Sequence, residues 1–343
     1  MTQIRNKRYF IVALIVVVLT VFLVVYRLPY YVYKPGGADP LNPVIKVDGG
    51  FESKGDMHLV TVRGGQANVV QYVLAKILPY QEIYPIDQIM PEGITQDEYF
   101  NAQLQLMENS QEAATVVAYK AANKDIEIDY KGVYVVAVIE GMPADGKLQA
   151  GDNITQVNGQ PVEQTDDLIG FVETKKAGDT VDITVKRDGK ELKESITLEK
   201  FPDLDDKVGV GIQLVTDRSV EVSPDITFSS GNIGGPSAGL MFSLEIYDQL
   251  TENDLTKGYQ IAGTGEISYD GKVLPIGGVD KKVIAANEEG CSIFFAPNEN
   301  GASGSDYEVA VKTAKEIDSN MKIVPVDTFE DALNYLEKLK PKK

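Results

Sequence analysis

The sequence predicts a mixed α/β and α+β protein carried on an N-terminal transmembrane helix, and three observations lead there. An unbroken apolar run occupies residues 9–26, short alternating runs separated by tight-turn pairs begin at Tyr130, and strand-like and helix-like runs alternate from Phe201 to the C-terminus. With 343 residues, 43% of them hydrophobic, the chain can fill more than one core. Asp and Glu outnumber Lys and Arg 51 to 33, a net charge of -18, and no basic run follows the first residues, which argues against a nucleic-acid surface. One histidine, His58, and one cysteine, Cys291, exclude a histidine metal cluster, a zinc knuckle and an intramolecular disulfide, so neither metal nor cofactor is expected.

The apolar run, "YFIVALIVVVLTVFLVVY", would span about 27 Å as a helix, close to the hydrocarbon thickness of a bilayer. Arg5, Lys7 and Arg8 precede it, with Arg27 and Lys34 following more sparsely, so the positive-inside rule places residues 1–8 in the cytoplasm and the rest outside. Tyr30, Tyr31 and Tyr33 suit the interface. A cleaved signal peptide is the competing reading, disfavoured by the length of the run and by the lack of a nearby small-x-small site. A buried core helix fits worse, since the segment has no polar face. "KPGGADPLNP" then reads as the end of a linker over residues 27–43. Beyond it, "VIKV" and "MHLVTV" read as strands, and residues 98–122 carry apolar side chains at helical spacing.

Residues 128–200 run strand, loop, strand, with Asn158 and Gly159 at a tight turn, then a helix in "TDDLIGFVE" and two strands about Asp188 and Gly189. This order resembles a PDZ domain. The resemblance is carried by Gly132-Val133-Tyr134-Val135 as the carboxylate-binding loop, by Ala150-Gly151-Asp152 with Ile154, and by Val157-Asn158-Gly159. Such a domain takes an extended peptide as an added strand on an exposed sheet edge. The first loop departs from the common Gly-Leu-Gly-Phe form, with Tyr134 where a second glycine often sits. A small module that packs against its neighbour and binds nothing is the alternative.

The most concentrated chemistry lies in "GNIGGPSAGLMF", residues 231–242, where glycines, a proline and an alanine crowd around Ser237 at the start of an apolar helix. A phosphate cradle would need lysine and then serine or threonine after its last glycine, and here Ala238 and Gly239 stand instead. A serine hydroxyl needs a base. His58 lies in an alternating strand run and Cys291 opens the buried-strand pattern "CSIFFAP", so both read as packed residues, and a Cys291–His58 hydrolase is disfavoured. That leaves Asp, Glu, Tyr or Lys. A lysine serves once burial makes its amine neutral, which suits Lys282 in "IGGVDKKVIAA". Lys281 points about 100° away around the helix, and spacing alone does not choose between them.

Gly-Gly-Pro-Ser-Ala-Gly, followed by Thr-Gly-Glu-Ile-Ser, Val-Leu-Pro-Ile-Gly-Gly and Lys282-x-x-Ala-Ala, resembles the proteolytic domain of Lon-type peptidases over residues 205–340. The resemblance implies a Ser-Lys dyad with Ser237 as nucleophile, Lys282 as general base and Thr264 supporting the lysine, with Gly235 and Gly265 shaping the site. Many Lon enzymes carry Lys-Asp-Gly before Pro-Ser-Ala-Gly, where this chain has Ile233-Gly234-Gly235. The proteolytic domain is expected over 201–343, with residues 44–127 as its first strands and helix and the PDZ unit inserted. No Gly-x-x-x-x-Gly-Lys-Ser/Thr run occurs, so action without ATP is expected. Anchor, PDZ unit and catalytic domain in that order resemble the YlbL/SepM type of cell-surface proteases of Gram-positive bacteria. The expected activity is serine endopeptidase action, outside the cell membrane, on exported peptides or unfolded segments. A membrane-tethered PDZ scaffold with an inactive protease-like domain is the rival.

Overall fold

The computed structural model describes residues 2–90, 96–201 and 207–342, which form two compact units, one of residues 126–221 and one of residues up to 125 together with those from 222 onward. The larger unit begins with helix α1 (Thr2–Val25), strands β1 (Arg27–Pro40), β2 (Ile45–Val47) and β3 (Asp56–Asn68), helix α2 (Val69–Ile77), strand β4 (Glu82–Pro85) and helix α3 (Gln96–Ala121). Among the described residues no helix is long and apolar enough to cross a membrane; the side chains of α1 are described from Tyr9, and from there to Val25 all but Leu23 are exposed.

Residues 27–43, expected as a linker, are instead mostly the long strand β1, which pairs antiparallel with β3 on one side and β4 on the other. The Pro-Gly-Gly signal misleads because here it marks a register shift inside a strand, between Pro35 and Ala38. A Cβ on Gly36 would lie 2.4 Å from the Thr61 carbonyl oxygen, so the close approach of β3 demands glycine. Helix α2 starts at a capping box in which the Asn68 side chain accepts from Gln71 N–H and the Gln71 side chain accepts from Asn68 N–H.

The second unit holds β5 (Asp125–Val138), β6 (Asn153–Val157), β7 (Gln160–Pro161), α4 (Thr165–Glu173), β8 (Thr180–Arg187), β9 (Lys190–Thr197), β10 (Glu199–Lys200), β11 (Val208–Gly209) and β12 (Ile212–Ser223). Its main sheet runs β12-β5-β6-β8-β9, with β7 on β6. Asp188 and Gly189, both at positive φ, turn β8 into β9 as the Asp-Gly pair predicts. Val133, Ile154, Ile183 and Ile196 fill the core. Asp152, buried beneath them, is satisfied by the Arg187 guanidinium at 2.6 and 2.7 Å and by Gln149 N–H. The unit continues to Glu221, beyond the boundary expected at residue 200.

The chain then returns to the first unit through β13 (Ile226–Phe228), α5 (Gly239–Leu250), β14 (Gln260–Gly263), β15 (Glu266–Ile267), β16 (Val273–Leu274), α6 (Val279–Glu288), β17 (Ile293–Pro297), α7 (Asp306–Glu316), β18 (Lys322–Val326) and α8 (Phe329–Glu337). Strands from both halves share one sheet in the order β18-β17-β14-β3-β1-β4. The first four run parallel and the last two pair antiparallel. Strand β17, "IFFAP", is buried at every position, as expected of a parallel strand covered on both faces. Helix α6 covers one face, packing Val279, Val283 and Ala286 against Ala262 and Phe294.

Candidate active site

Ser237 stands in the loop before α5, and four residues hold that loop from outside. Gly235 N–H donates to the Gln103 carbonyl (2.7 Å) and the Ser110 hydroxyl donates to the Pro236 carbonyl (2.8 Å), both from α3. From the end of β14, Gly265 N–H and the Thr264 hydroxyl each donate to the Ser237 carbonyl at 3.0 Å. The small residues have a steric reason. A Cβ on Gly234 would meet Gln103 Cβ at 2.7 Å, and Gly235 sits at φ +92°, a conformation glycine adopts without penalty.

Lys282 rises from the first turns of α6, 3% exposed, with Nζ 2.7 Å from Ser237 Oγ and 3.0 Å from Thr264 Oγ1. Burial lowers its pKa to about 7, with the Asp306 carboxylate pulling weakly the other way. Thr264 has one hydroxyl proton, and the Ser237 carbonyl takes it, so Thr264 can only accept from the lysine. A neutral amine that gives one N–H to Thr264 can turn its lone pair to the Ser237 hydroxyl. Lys281, 1% exposed, is held elsewhere, its ammonium 2.8 Å from Glu82 and 3.0 Å from Asp280. The geometry thus brings together Ser237, Lys282, Thr264, Gly235 and Gly265, and separates Lys281 from them.

The pair opens into a cleft of about 940 Å³ whose far walls are α3 and the second half of β3. Pairing of β14 with β3 ends at Gly263 and Leu59, so past that point the edge of β3 borders the cleft. The cleft therefore lies beyond the carboxyl end of a parallel strand, where open α/β sheets place their ligands. In the loop, the N–H groups of Gly235, Gly239 and Leu240 are engaged by the carbonyls of Gln103, Pro236 and Gly265, and Pro236 has none. This leaves the N–H groups of Gly234, Ser237 and Ala238, before the start of α5, as those placed to meet a developing oxyanion.

His58 and Cys291 have structural places. The His58 ring is buried between the Ala38 carbonyl (3.2 Å) and Gln260 Oε1 (2.5 Å). The Cys291 thiol is buried in the core under α6, and burial pushes its pKa up to about 12, so it is no thiolate nucleophile. Among the described residues no group of His, Cys, Asp and Glu is placed to hold a metal ion.

Gly132, Val133 and Tyr134, expected as the peptide-binding loop, lie instead in β5, with β12 on one side and β6 on the other. An interior strand has no free edge to receive a peptide. Strand β12 is at one edge of the sheet, and an apolar groove of about 340 Å³ runs between its start and α4, lined by Ile169, Val172, Val208, Gly211, Ile212 and Leu214 among others. The signal that could have found it is Gly209-Val210-Gly211-Ile212, which matches the Gly-Leu-Gly-Phe form far better than Gly132-Val133-Tyr134-Val135 does. Gly211 has φ +83°, and a Cβ there would strike Met142 at 2.1 Å.

Comparison with known proteins finds both domain families. Residues 105–198 match the PDZ domain family and residues 218–338 match the Lon protease (S16) C-terminal proteolytic domain, so the chain carries one domain of each kind, a combination that supports a serine peptidase. In particular, the chain is similar to the Lon protease of Campylobacter concisus (strain 13826), 39% identical over 99 residues that make up 29% of this chain and 11% of that one. It is also similar to the peroxisomal Lon protease homolog 2 of Caenorhabditis elegans, 30% identical over 204 residues, 59% of this chain and 24% of that protein. The chain thus spans a quarter or less of the length of these curated relatives. Among solved structures, the PDZ domain of the SdrC-like protein from Listeria monocytogenes is 36% identical, covering 26% of this chain and 93% of that one, with a TM-score of 0.25.

Proposed function

We propose that the protein is a membrane-anchored, ATP-independent serine endopeptidase with a Ser237–Lys282 dyad, of the PDZ-bearing Lon type that resembles YlbL/SepM proteases. It acts outside the membrane on exported peptides or unfolded segments. The observation that carries this reading is a buried lysine, its pKa lowered to about 7, 2.7 Å from the hydroxyl of Ser237 at the floor of an open cleft. Neutral Lys282 takes the Ser237 proton as Oγ attacks the scissile carbonyl, and the N–H groups of Ser237 and Ala238 meet the negative charge on its oxygen. The resulting ammonium protonates the leaving amine, giving an acyl-enzyme. Lys282, neutral again, then activates the water that hydrolyses it.

The anchor is α1, whose apolar surface is exposed from Tyr9 to Val25, with basic residues ahead of it in the sequence. Freedom from ATP is supported by the lack of a phosphate-loop sequence. The groove between β12 and α4 would take a peptide chain end as an added strand, presenting substrate or reporting its presence.

The test is cleavage of an unfolded, alkylated protein by the full chain in detergent, without ATP and with a chelator, wild type beside Ser237→Ala. Cleavage by wild type alone is expected. Cleavage that survives Ser237→Ala would remove Ser237 as the nucleophile, and no cleavage by well-folded wild type would favour a scaffold.

A further inference from the structure

Helix α2 has an inverted surface. Its apolar residues Val70, Val73, Leu74 and Ile77 fall at i, i+3, i+4 and i+7, the spacing of a face made for burial, yet these four and the C-cap residue Leu78 are all exposed, Ile77 to 73%. The inward side is small: Ala75 is buried, with Tyr72 packed against the Val32 and Ala67 cluster. Scattered exposed leucines need no explanation, but a contiguous helical stripe of large aliphatics marks an interaction surface.

Its position says what covers it. The Asn68 side chain that caps α2 also donates to the Val24 carbonyl in the last turn of α1, at 2.9 Å. Arg27 donates to the Gln66 carbonyl and Gln66 to the Leu28 carbonyl, so the start of α2 is tied to the level at which α1 ends. The start of α2, with its exposed apolar stripe, therefore adjoins the end of the exposed apolar surface of α1. Around this junction stand Tyr26, Tyr30 and Tyr72, with the Lys76 ammonium 5.6 Å over the Tyr72 ring, the aromatic and cationic company that interfacial helices keep.

We propose that α2 lies in the lipid–water interface, its Val70, Val73, Leu74, Ile77 and Leu78 face seated in the bilayer, as a second membrane contact beside α1. This rests on reading α1 as the anchor. The stripe itself carries no charge and the chain has a net charge of -18, so the contact is assigned to apolar area and an uncharged phosphatidylcholine surface is the probe.

The chain has no tryptophan, so one introduced indole reports one site. Full-length Ile77→Trp, Val17→Trp and Phe51→Trp are reconstituted into phosphatidylcholine vesicles with or without bromine on the upper acyl chain. Phe51, exposed on the loop after β2, sets the unquenched reference, and retained cleavage activity checks folding. The expected result is roughly twofold or greater quenching at both Ile77→Trp and Val17→Trp, as for rings at least ~5–10 Å into the headgroup–acyl boundary. Quenching at Val17→Trp alone overturns the proposal and leaves the anchor. Quenching at neither overturns both readings. A blue-shifted Ile77→Trp emission that brominated lipid does not quench also overturns it, since a second copy of the chain would then cover the face.

Discussion

At the scale of single residues, the site turns on one lysine that burial makes easy to deprotonate. Lys282→Arg should lower kcat/KM by about 10⁴-fold or more, because a guanidinium stays protonated and cannot take the Ser237 proton. Lys281→Arg should keep most activity, because its partners Glu82 and Asp280 pair with either cation. Comparing the two variants on an unfolded substrate checks the register of α6. The pH profile follows from the same burial. The neutral amine is the active form, so kcat/KM should rise through an apparent pKa of about 7 and level off above it. A lysine near its ordinary value would leave activity climbing to about pH 10. By linkage, folding stability should also rise between about pH 7 and 10.5, where the unfolded chain holds a proton that the folded chain lacks. Ser237 was legible from its small neighbours and Lys282 from its apolar ones. Spacing left Lys281 and Lys282 level and the family resemblance chose Lys282, but the place of Lys281 depends on Glu82, nearly 200 positions earlier in the chain, on a strand whose place no local pattern reveals.

At the scale of elements, β1 is the instructive case. A fragment starting at residue 38 would look like a clean removal of anchor and linker, yet it deletes most of the strand that lies between β3 and β4. Such a fragment should be insoluble or unfolded by circular dichroism, whereas one starting at Arg27 should fold and cleave. The peptide groove makes a related point. Strands β5 and β12 alternate apolar and polar residues in much the same way, and only their order in the sheet shows which has a free edge. Ile169→Glu, at an exposed position on α4, should weaken binding of peptides with apolar C-termini by tenfold or so by placing a charge in the groove. Fluorescence anisotropy with free and amidated peptides measures it. Equal binding by the variant would move peptide capture away from β12.

At the scale of the whole molecule, the catalytic sheet takes none of its six strands from the residues between Ile126 and Glu221. Ile139 N–H donates to the Gly211 carbonyl, setting the end of β5 beside the start of β12, so the start of β5 lies beside the end of β12. The chain leaves and re-enters through neighbouring strand ends. Replacing residues 126–221 with a short glycine linker should therefore leave a folded protein that still cleaves unfolded substrate in a Ser237-dependent manner. Loss of cooperative thermal unfolding in that variant would show that the inserted unit is needed for folding.

The amino-acid sequence by itself determined what is local: the turns at Asn158-Gly159 and Asp188-Gly189, helices α3 and α4, the alternation of strands and helices after Phe201, the crowded serine loop, and a lysine in apolar company. Backbone period, turn chemistry and side-chain size are written in neighbouring residues. Only the tertiary structure decided that residues 27–40 are an interior strand, that β12 and not β5 offers an edge, and that Lys281 is turned to Glu82 and Asp280. Each of these depends on which distant segment lies alongside, because hydrogen-bonding edges and burial are properties of a residue's surroundings.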